Sequence, residues 1–252
     1  MICNQCPRKC NTDREITLGF CKSPQHFRVS RAALHFWEEP CISGENGSGT
    51  VFFSGCNLRC VFCQNYEISR ENKGVEISDE KLVSIFEKLI SQGAHNINLV
   101  NPSHYACRLA SVLSKWKSPV PIVYNTSGYD FKYTRSDKAL RYSKAADYPE
   151  TAKAALAEMY RQQPRCEFDE KGLMKKGVVI RHLILPSNTN SSLEAVDYLT
   201  DNFPNAFISL MAQYVPCGDL SAFKEIDRKI TKREYNKVLT YAINKGCEKI
   251  FV

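Results

Sequence analysis

The chain has 252 residues, and 43% of them are apolar, which is enough for one large buried core but not for a second full domain. No stretch approaches the roughly 18 apolar residues of a membrane span, and no basic segment followed by an apolar run opens the sequence, so we expect a cytoplasmic protein without a membrane partner. The net charge of +7 is scattered and forms no basic, aromatic-rich stripe, which disfavours nucleic acid as a partner.

Twelve cysteines are many for this length, and several are clustered instead of being spaced as a disulfide framework would space them. The first cluster, Cys3, Cys6, Cys10 and Cys21, lies in a segment too short and too polar to fold around its own core. Four thiolates suit a tetrahedral zinc ion or a complete four-iron cluster, and the spacing does not separate the two. The alternative is a frayed terminus with four unliganded thiols.

The second cluster follows a predicted strand. Thr50–Phe53 is β-branched and aromatic, as in a buried strand, and Ser54 and Gly55 end it. Three cysteines come directly afterwards in one loop, at spacings of four and three residues: Cys56, Cys60 and Cys63. Three thiols so placed could ligate three irons of a four-iron cluster and leave the fourth iron without a protein ligand.

Strands and helices alternate after this loop. Ser78 is a predicted N-cap, and Thr231 with Glu234 forms a predicted capping box. The alternation predicts a parallel sheet with right-handed crossovers and with sites at the carboxyl ends of its strands. The predicted strands are 97–100, 120–123, 178–185 and 206–211, and the helices are 78–93, 105–116, 152–162, 193–203 and 231–246.

Two stretches do not follow this alternation. Residues 31–37 are expected to form a short helical or extended lead-in to the first strand. Residues 130–148 are polar and contain no apolar run, although the spacing of the other strands calls for one there. One strand is therefore missing from the pattern.

An iron left open by three cysteines could bind the amino and carboxylate groups of S-adenosylmethionine (SAM). Its sulfonium would then lie beside a one-electron donor, and reduction would release a 5'-deoxyadenosyl radical. The protein would orient SAM and exclude water. The alternative from another class is an iron–sulfur or zinc scaffold that carries electrons or binds a partner without SAM chemistry.

The three cysteines, with Phe62 just before the last of them, resemble the signature of the radical SAM superfamily. Nearly the whole chain is similar to the pyruvate formate-lyase activating enzyme-like branch called PflX-type. The resemblance implies an α/β fold with a partial (β/α)6 TIM-like radical SAM barrel over residues 31–252, after a Cys-rich metal-binding segment over residues 1–30. The similar stretches are the Cys-x-x-Cys-Pro pattern at the N-terminus, 35–40, 47–55, 96–100 and 124–129.

The resemblance also implies roles for single residues. The cysteine loop would ligate a [4Fe-4S] cluster, and Phe62 and Asn65 would border the adenosyl part of SAM. Glycyl-radical activating enzymes usually carry Gly-Gly-Glu after the second strand. This chain has Asn-Pro-Ser-His there, so Asn101 and Ser103 would accept hydrogen bonds in its place, and Asn125 resembles a position that helps to hold the methionyl end.

Two basic residues complete the implied SAM site. Lys132 resembles a lysine that meets the SAM carboxylate, and Arg181 resembles a strand-five arginine near SAM. In comparable proteins a helix and most of a strand separate the segments that here meet at Tyr129 and Asp130. Either the protein has lost a βα unit, or the sequence lacks a segment of the natural chain. We favour the second explanation, because removing a strand would expose the core and leave a sheet edge unpaired.

The activity implied is that of an oxidoreductase that abstracts hydrogen from a protein or a small molecule. Its electron donor would be a protein such as flavodoxin or ferredoxin. The likeness to activating enzymes suggests glycyl radical formation on a partner protein, but an analogy at the level of the fold does not choose a substrate.

Overall fold

The computed structural model describes residues 2–129 and 137–252, so the predicted SAM ligand Lys132 lies outside the described residues. The chain divides into two compact units, whereas composition led us to expect one core. The first unit contains the residues up to 157 and residues 170–173, and the second contains residues 158–169 and 174–252.

The first unit holds the cysteine clusters and a mixed sheet. Its strands are β1 (Ile2–Cys3), β2 (Thr12–Asp13), β3 (Phe27–His35), β4 (Ser48–Phe53), β5 (Val75–Ile77), β6 (Ile97–Val100) and β7 (Ile122–Asn125). Its helices are α1 (Pro40–Ser43), α2 (Tyr66–Ser69), α3 (Asp79–Ser91), α4 (Ala106–Lys115) and α5 (Asp137–Ser143). A 3-10 turn at Ser103–Tyr105 precedes α4. The next helix, α6 (Tyr148–Gln162), begins in this unit and ends in the second.

Among the described residues, five strands of the first unit pair in the order β5-β3-β4-β6-β7. β4, β6 and β7 are parallel, and their register places Phe52 beside Val100 and Val100 beside Asn125. The carboxyl ends of these three strands therefore lie at the same edge of the sheet. The loop that carries Cys56 and the turn that begins at Asn101 both start there.

This sheet is covered by α3 and α4. Ser78 caps α3, since its hydroxyl accepts a hydrogen bond from the Lys81 amide at 3.1 Å. Leu82 and Phe86 of α3 are fully buried and pack with Leu99 of β6 in one apolar cluster. Fixing the sheet in this way also fixes the edge at which the cysteine loop begins.

The second unit contains a parallel sheet of its own. The elements are β8 (Glu167–Phe168), β9 (Met174–Lys176), β10 (Val179–Leu183), α7 (Thr189–Asn202), β11 (Phe207–Met211), a 3-10 turn at Lys224–Ile226, α8 (Lys232–Asn244) and β12 (Ile250–Phe251). The parallel strands pair in the order β10-β11-β12, and β8 and β9 form an antiparallel hairpin. The capping box of Thr231 and Glu234 at the start of α8 is confirmed.

The predicted α/β alternation is confirmed, and the strand at 97–100 has the predicted bounds. The strands predicted from the sequence pair parallel, as expected. The first sheet is nevertheless mixed, because β3 pairs antiparallel with both β4 and β5. The stretch 31–37 was predicted as a short helical or extended lead-in. Residues 31–35 form the second half of the nine-residue strand β3, and residues 36 and 37 lie beyond its end. A register shift between Val29 and Arg31 interrupts the alternation of buried and exposed positions by which a strand is recognised.

The described strands form no closed barrel, and the partial (β/α)6 barrel stays a prediction. The same holds for the domain boundary at residue 30 and for the segment expected between Tyr129 and Asp130. No helix within residues 2–129 and 137–252 is both long and apolar enough to span a bilayer.

Leu99→Ala should lower the free energy of unfolding by about 2–5 kcal/mol, because it empties a fully buried position between two paired strands. Leu140→Ala, at a leucine that is 50% exposed, is the matched control and should change stability by no more than about 0.5 kcal/mol. Chemical denaturation of both variants measures the difference. Equal stability of the two would mean that β6 is not at the centre of this core.

Candidate functional site

The site begins where β4 ends, at a glycine that the backbone requires. Gly55 has φ +82°, and a Cβ there would collide with the Ser23 hydroxyl and the Cys21 carbonyl. The Gly55 amide donates to the Ile68 carbonyl at 2.9 Å. This close approach of two chain segments fixes the direction in which the cysteine loop leaves the sheet.

The three thiols of the loop lie close together. Burial, with smaller contributions from the nearby Cys60 and Cys63, raises the pKa of the Cys56 thiol to about 12. Burial also raises the pKa of Cys60, and Cys63 adds to that effect. Without a positive centre Cys56 and Cys60 are therefore protonated at neutral pH, whereas a bound metal would hold them as thiolates.

Each sulfur of the loop has a hydrogen-bonding neighbour. The Leu58 amide donates to Cys56 Sγ at 3.3 Å, and the Ser69 hydroxyl donates to Cys63 Sγ at 3.2 Å. Cys60 Sγ lies 3.3 Å from Ser143 Oγ, to which the thiol donates and from which a thiolate would accept. These groups stabilise negative charge on all three sulfurs.

The C-terminal end of α5 fixes the middle of the loop. The Arg59 amide donates to the Ser143 carbonyl at 3.2 Å, and the Val61 amide donates to the Tyr142 carbonyl at 2.8 Å. These contacts join segments more than 80 residues apart. No local sequence pattern could have predicted them.

A cation also holds the loop. Arg70 Nη2 donates to the Arg59 carbonyl at 2.8 Å and to the Cys60 carbonyl at 3.4 Å. Its positive charge works against the raised pKa of Cys60. Arg70 cannot be identified from the sequence, because an arginine seven residues beyond the last loop cysteine has no distinguishing pattern.

Three predicted SAM-binding residues lie at the neighbouring strand ends. The Asn101 side chain donates to the Gly55 carbonyl at 3.1 Å, and its Oδ1 is buried with no hydrogen-bond partner among the described residues. The Asn101 amide donates to the Asn125 carbonyl at 2.8 Å. Ser103 is buried, and its hydroxyl bonds that of Thr126 at 2.9 Å. Asn101, Ser103 and Asn125 therefore share one edge of the sheet with the cysteine loop.

The other predicted SAM contacts are placed differently. Phe62 is partly buried within the loop, and Asn65 is exposed at the start of α2. Arg181 is an exposed residue of β10 in the second unit. Their contacts to SAM stay predictions.

The donor set of the loop fits an iron–sulfur cluster. Within the described residues, no group of three or more His, Cys, Asp or Glu side chains could hold a single metal ion as placed. A four-iron cluster makes a different demand, because each thiolate binds its own iron and the three need not converge on one point. Three adjacent, partly buried sulfurs with hydrogen-bond donors meet that demand.

Comparison with known proteins agrees with this chemistry. Residues 50–159 match the radical SAM superfamily, and the match includes β4, the cysteine loop, β6 and β7. An uncharacterized protein of Methanocaldococcus jannaschii is 27% identical over 277 residues, which cover 99% of this chain and 76% of that protein. A radical SAM domain implies a [4Fe-4S] cluster and the reductive cleavage of SAM. The site at the carboxyl edge of β4, β6 and β7 therefore lies within the residues that match the radical SAM superfamily.

Proposed function

We propose that this protein is a radical SAM oxidoreductase that abstracts hydrogen from its substrate with a 5'-deoxyadenosyl radical. One electron would enter SAM through a [4Fe-4S] cluster on Cys56, Cys60 and Cys63, and methionine would leave. The observation that carries the proposal is the cluster of three thiols at the edge where β4, β6 and β7 end, within the matched domain. That edge is where parallel α/β sheets bind their ligands.

The neighbouring polar groups suit the methionyl end of SAM. The unpartnered Oδ1 of Asn101 could accept a hydrogen bond from the SAM amino group. Ser103 and Asn125 lie beside it and would complete this contact. Phe62 and Asn65 would border the adenosyl part, while Lys132 and Arg181 would supply positive charge for the carboxylate, as the resemblance implies.

The substrate is a protein or a small molecule, and we favour the activating type, which forms a glycyl radical on a partner protein. The electron donor would be a reduced protein such as flavodoxin or ferredoxin. A reducing cytoplasm would suit this chemistry, and none of the twelve cysteines, all of which are among the described residues, forms a disulfide.

We further infer that the natural chain contains an additional βα segment between Tyr129 and Asp130 and that this segment extends a partial (β/α)6 barrel. The aligned length of 277 residues exceeds the 252 residues of this chain, so the archaeal relative has residues that this chain lacks. The edge strand β7 supports the inference as well. It pairs with β6 on one side, and no partner on its other side occurs among the described strands.

The proposed reaction can be tested with anaerobically reconstituted protein, dithionite and SAM. The wild type should release 5'-deoxyadenosine, and Cys60→Ala should abolish the release, because it removes one of three cluster ligands. Cys107→Ala, at an exposed cysteine of α4, is the matched control and should keep wild-type activity. Deuterium transfer from a labelled candidate substrate into 5'-deoxyadenosine would identify the hydrogen that is abstracted.

Well-loaded protein that bound iron but released no 5'-deoxyadenosine would favour the alternative, an iron–sulfur scaffold or electron carrier. A Cys60→Ala variant that still cleaved SAM would instead contradict the assignment of the cluster to this loop.

Ser143→Ala and Ser69→Ala should each lower the reduction potential of the cluster. Hydroxyl hydrogen bonds to the sulfurs favour the more negatively charged, reduced state. A preference of about 1 kcal/mol corresponds to roughly 40 mV for a one-electron couple. Redox titration followed by electron paramagnetic resonance measures the shift. The control is Ser84→Ala, an exposed serine of α3, and a potential unchanged in both test variants would mean that these hydroxyls do not contact the cluster sulfurs.

A further inference from the structure

A second group of four thiols lies beside the cysteine loop. Cys3, Cys6, Cys10 and Cys21 line one cavity of about 330 Å³, counting the part open to solvent, together with Arg14 and His104. Cys3 lies in β1, Cys6 and Cys10 lie in the connection between β1 and β2, and Cys21 lies in the segment that leads to β3. The fold thus gathers thiols that are up to 18 residues apart in the sequence.

The backbone around these thiols forms tight turns. The Lys9 amide donates to the Cys6 carbonyl at 3.1 Å, and the Asn11 amide donates to the Cys3 carbonyl at 3.2 Å. The Phe20 amide donates to Cys10 Sγ at 3.3 Å. A Cβ at Gly19 would lie 3.0 Å from that same sulfur, so this position leaves room for Cys10. These turns hold the four cysteines around one cavity.

No apolar core of its own holds this segment. Its large aliphatic side chains are exposed, by 58% at Ile2, 85% at Ile16 and 51% at Leu18. Burial of these residues therefore cannot supply the free energy that orders the segment. A metal centre bound by the four thiols would supply it, as in other small segments that fold only around metal.

The cationic surroundings suit such a centre. Arg14 is buried, and its guanidinium donates to the carbonyls of Ser23, His104 and Pro24 at 2.6–2.9 Å. Arg8 also lines the cavity, and its Nη2 is buried without a hydrogen-bond partner among the described residues. A zinc ion or a four-iron cluster with four thiolates carries net negative charge, which these two cations offset.

The same segment contacts the loop of the SAM site. Arg8 Nε donates to the Asn57 carbonyl at 2.8 Å. The Arg8 guanidinium lies 3.8 Å from the centre of the Phe20 ring, and the Arg59 guanidinium lies 4.4 Å from it. Arg59 also donates to the Phe20 carbonyl at 3.3 Å. Arg8 and Phe20, which lie between the N-terminal cysteines, therefore contact Asn57 and Arg59, which lie between Cys56 and Cys60 of the loop.

We propose that Cys3, Cys6, Cys10 and Cys21 bind a second metal centre, one zinc ion or one four-iron cluster, and that this centre holds residues 2–24 against the loop 55–63. The thiols as placed do not converge on a single ion, so metal binding draws them together. The proposal does not depend on SAM cleavage, because it concerns only where metal binds and what that binding orders.

Metal analysis in the absence of the first centre tests the binding. A Cys56/Cys60/Cys63 triple Ala variant of the full chain, purified without oxygen, should keep either about one zinc or about four irons with sulfide per chain. Adding Cys3→Ala and Cys6→Ala should remove that metal, whereas adding Cys107→Ala should not. A triple variant without bound metal, or equal metal content with and without Cys3 and Cys6, would overturn the proposal.

A second measurement uses the intact SAM site and covers the case in which the triple variant does not fold. In the Cys3/Cys6 double Ala variant the wild-type metal content should fall by one centre. Amide hydrogen exchange in residues 2–24 and at Arg59 and Val61 should become at least tenfold faster. Cys107→Ala is again the control. If amide hydrogen exchange stayed unchanged although the metal was lost, the proposed structural role of the metal centre would be wrong.

Discussion

The parallel register of β4, β6 and β7 is the constraint on which the site depends. Because these strands point the same way and end side by side, the three segments that follow them must share one edge of the sheet. Cys56, Asn101 and Thr126 are far apart in the sequence, yet backbone pairing alone brings them together. The buried aliphatic side chains of β4 and β6 then fix that pairing.

A second constraint is electrostatic. The loop gathers three sulfurs, which repel one another as thiolates, and their environment is only partly exposed. This repulsion is offset by hydroxyl and amide groups that donate hydrogen bonds to the sulfurs and by Arg70, which donates to the loop carbonyls. In the N-terminal group of cysteines, Arg8 and Arg14 supply the positive charge. In both groups the protein places positive charge and hydrogen-bond donors around the sulfurs, an arrangement that suits an anionic centre.

The sequence predicted the parts of this arrangement that depend on local pattern. The strand before the loop, the helix capped by Ser78 and the capping box of Thr231 all follow from periodicity and from cap residues. The three loop cysteines were visible from spacing alone. By contrast β3 was missed, because its bulge breaks the alternation, and the antiparallel pairing of β3 with β4 could not be read from either strand alone.

The positioning residues were missed for a different reason. Arg8, Arg70 and Ser143 act through backbone carbonyls and sulfurs that are brought near only by tertiary structure. Arginines and serines are common surface residues, so their identity carries no indication of such contacts. The same limit applies to the polar residues at the strand ends. Resemblance to a family identified Asn101, Ser103 and Asn125 as candidate ligands. That they lie at one edge of the sheet follows only from the pairing of β4, β6 and β7.

The clamp of α5 on the cysteine loop has a consequence for biosynthesis. Its two hydrogen bonds join Arg59 and Val61 to carbonyls more than 80 residues later in the chain. A ribosome adds roughly 5–20 residues per second, so the loop leaves it several seconds before α5 exists. During that interval the Arg59 and Val61 amides lack their acceptors on α5. The conformation of the loop is therefore completed only after residues 142 and 143 have been synthesised.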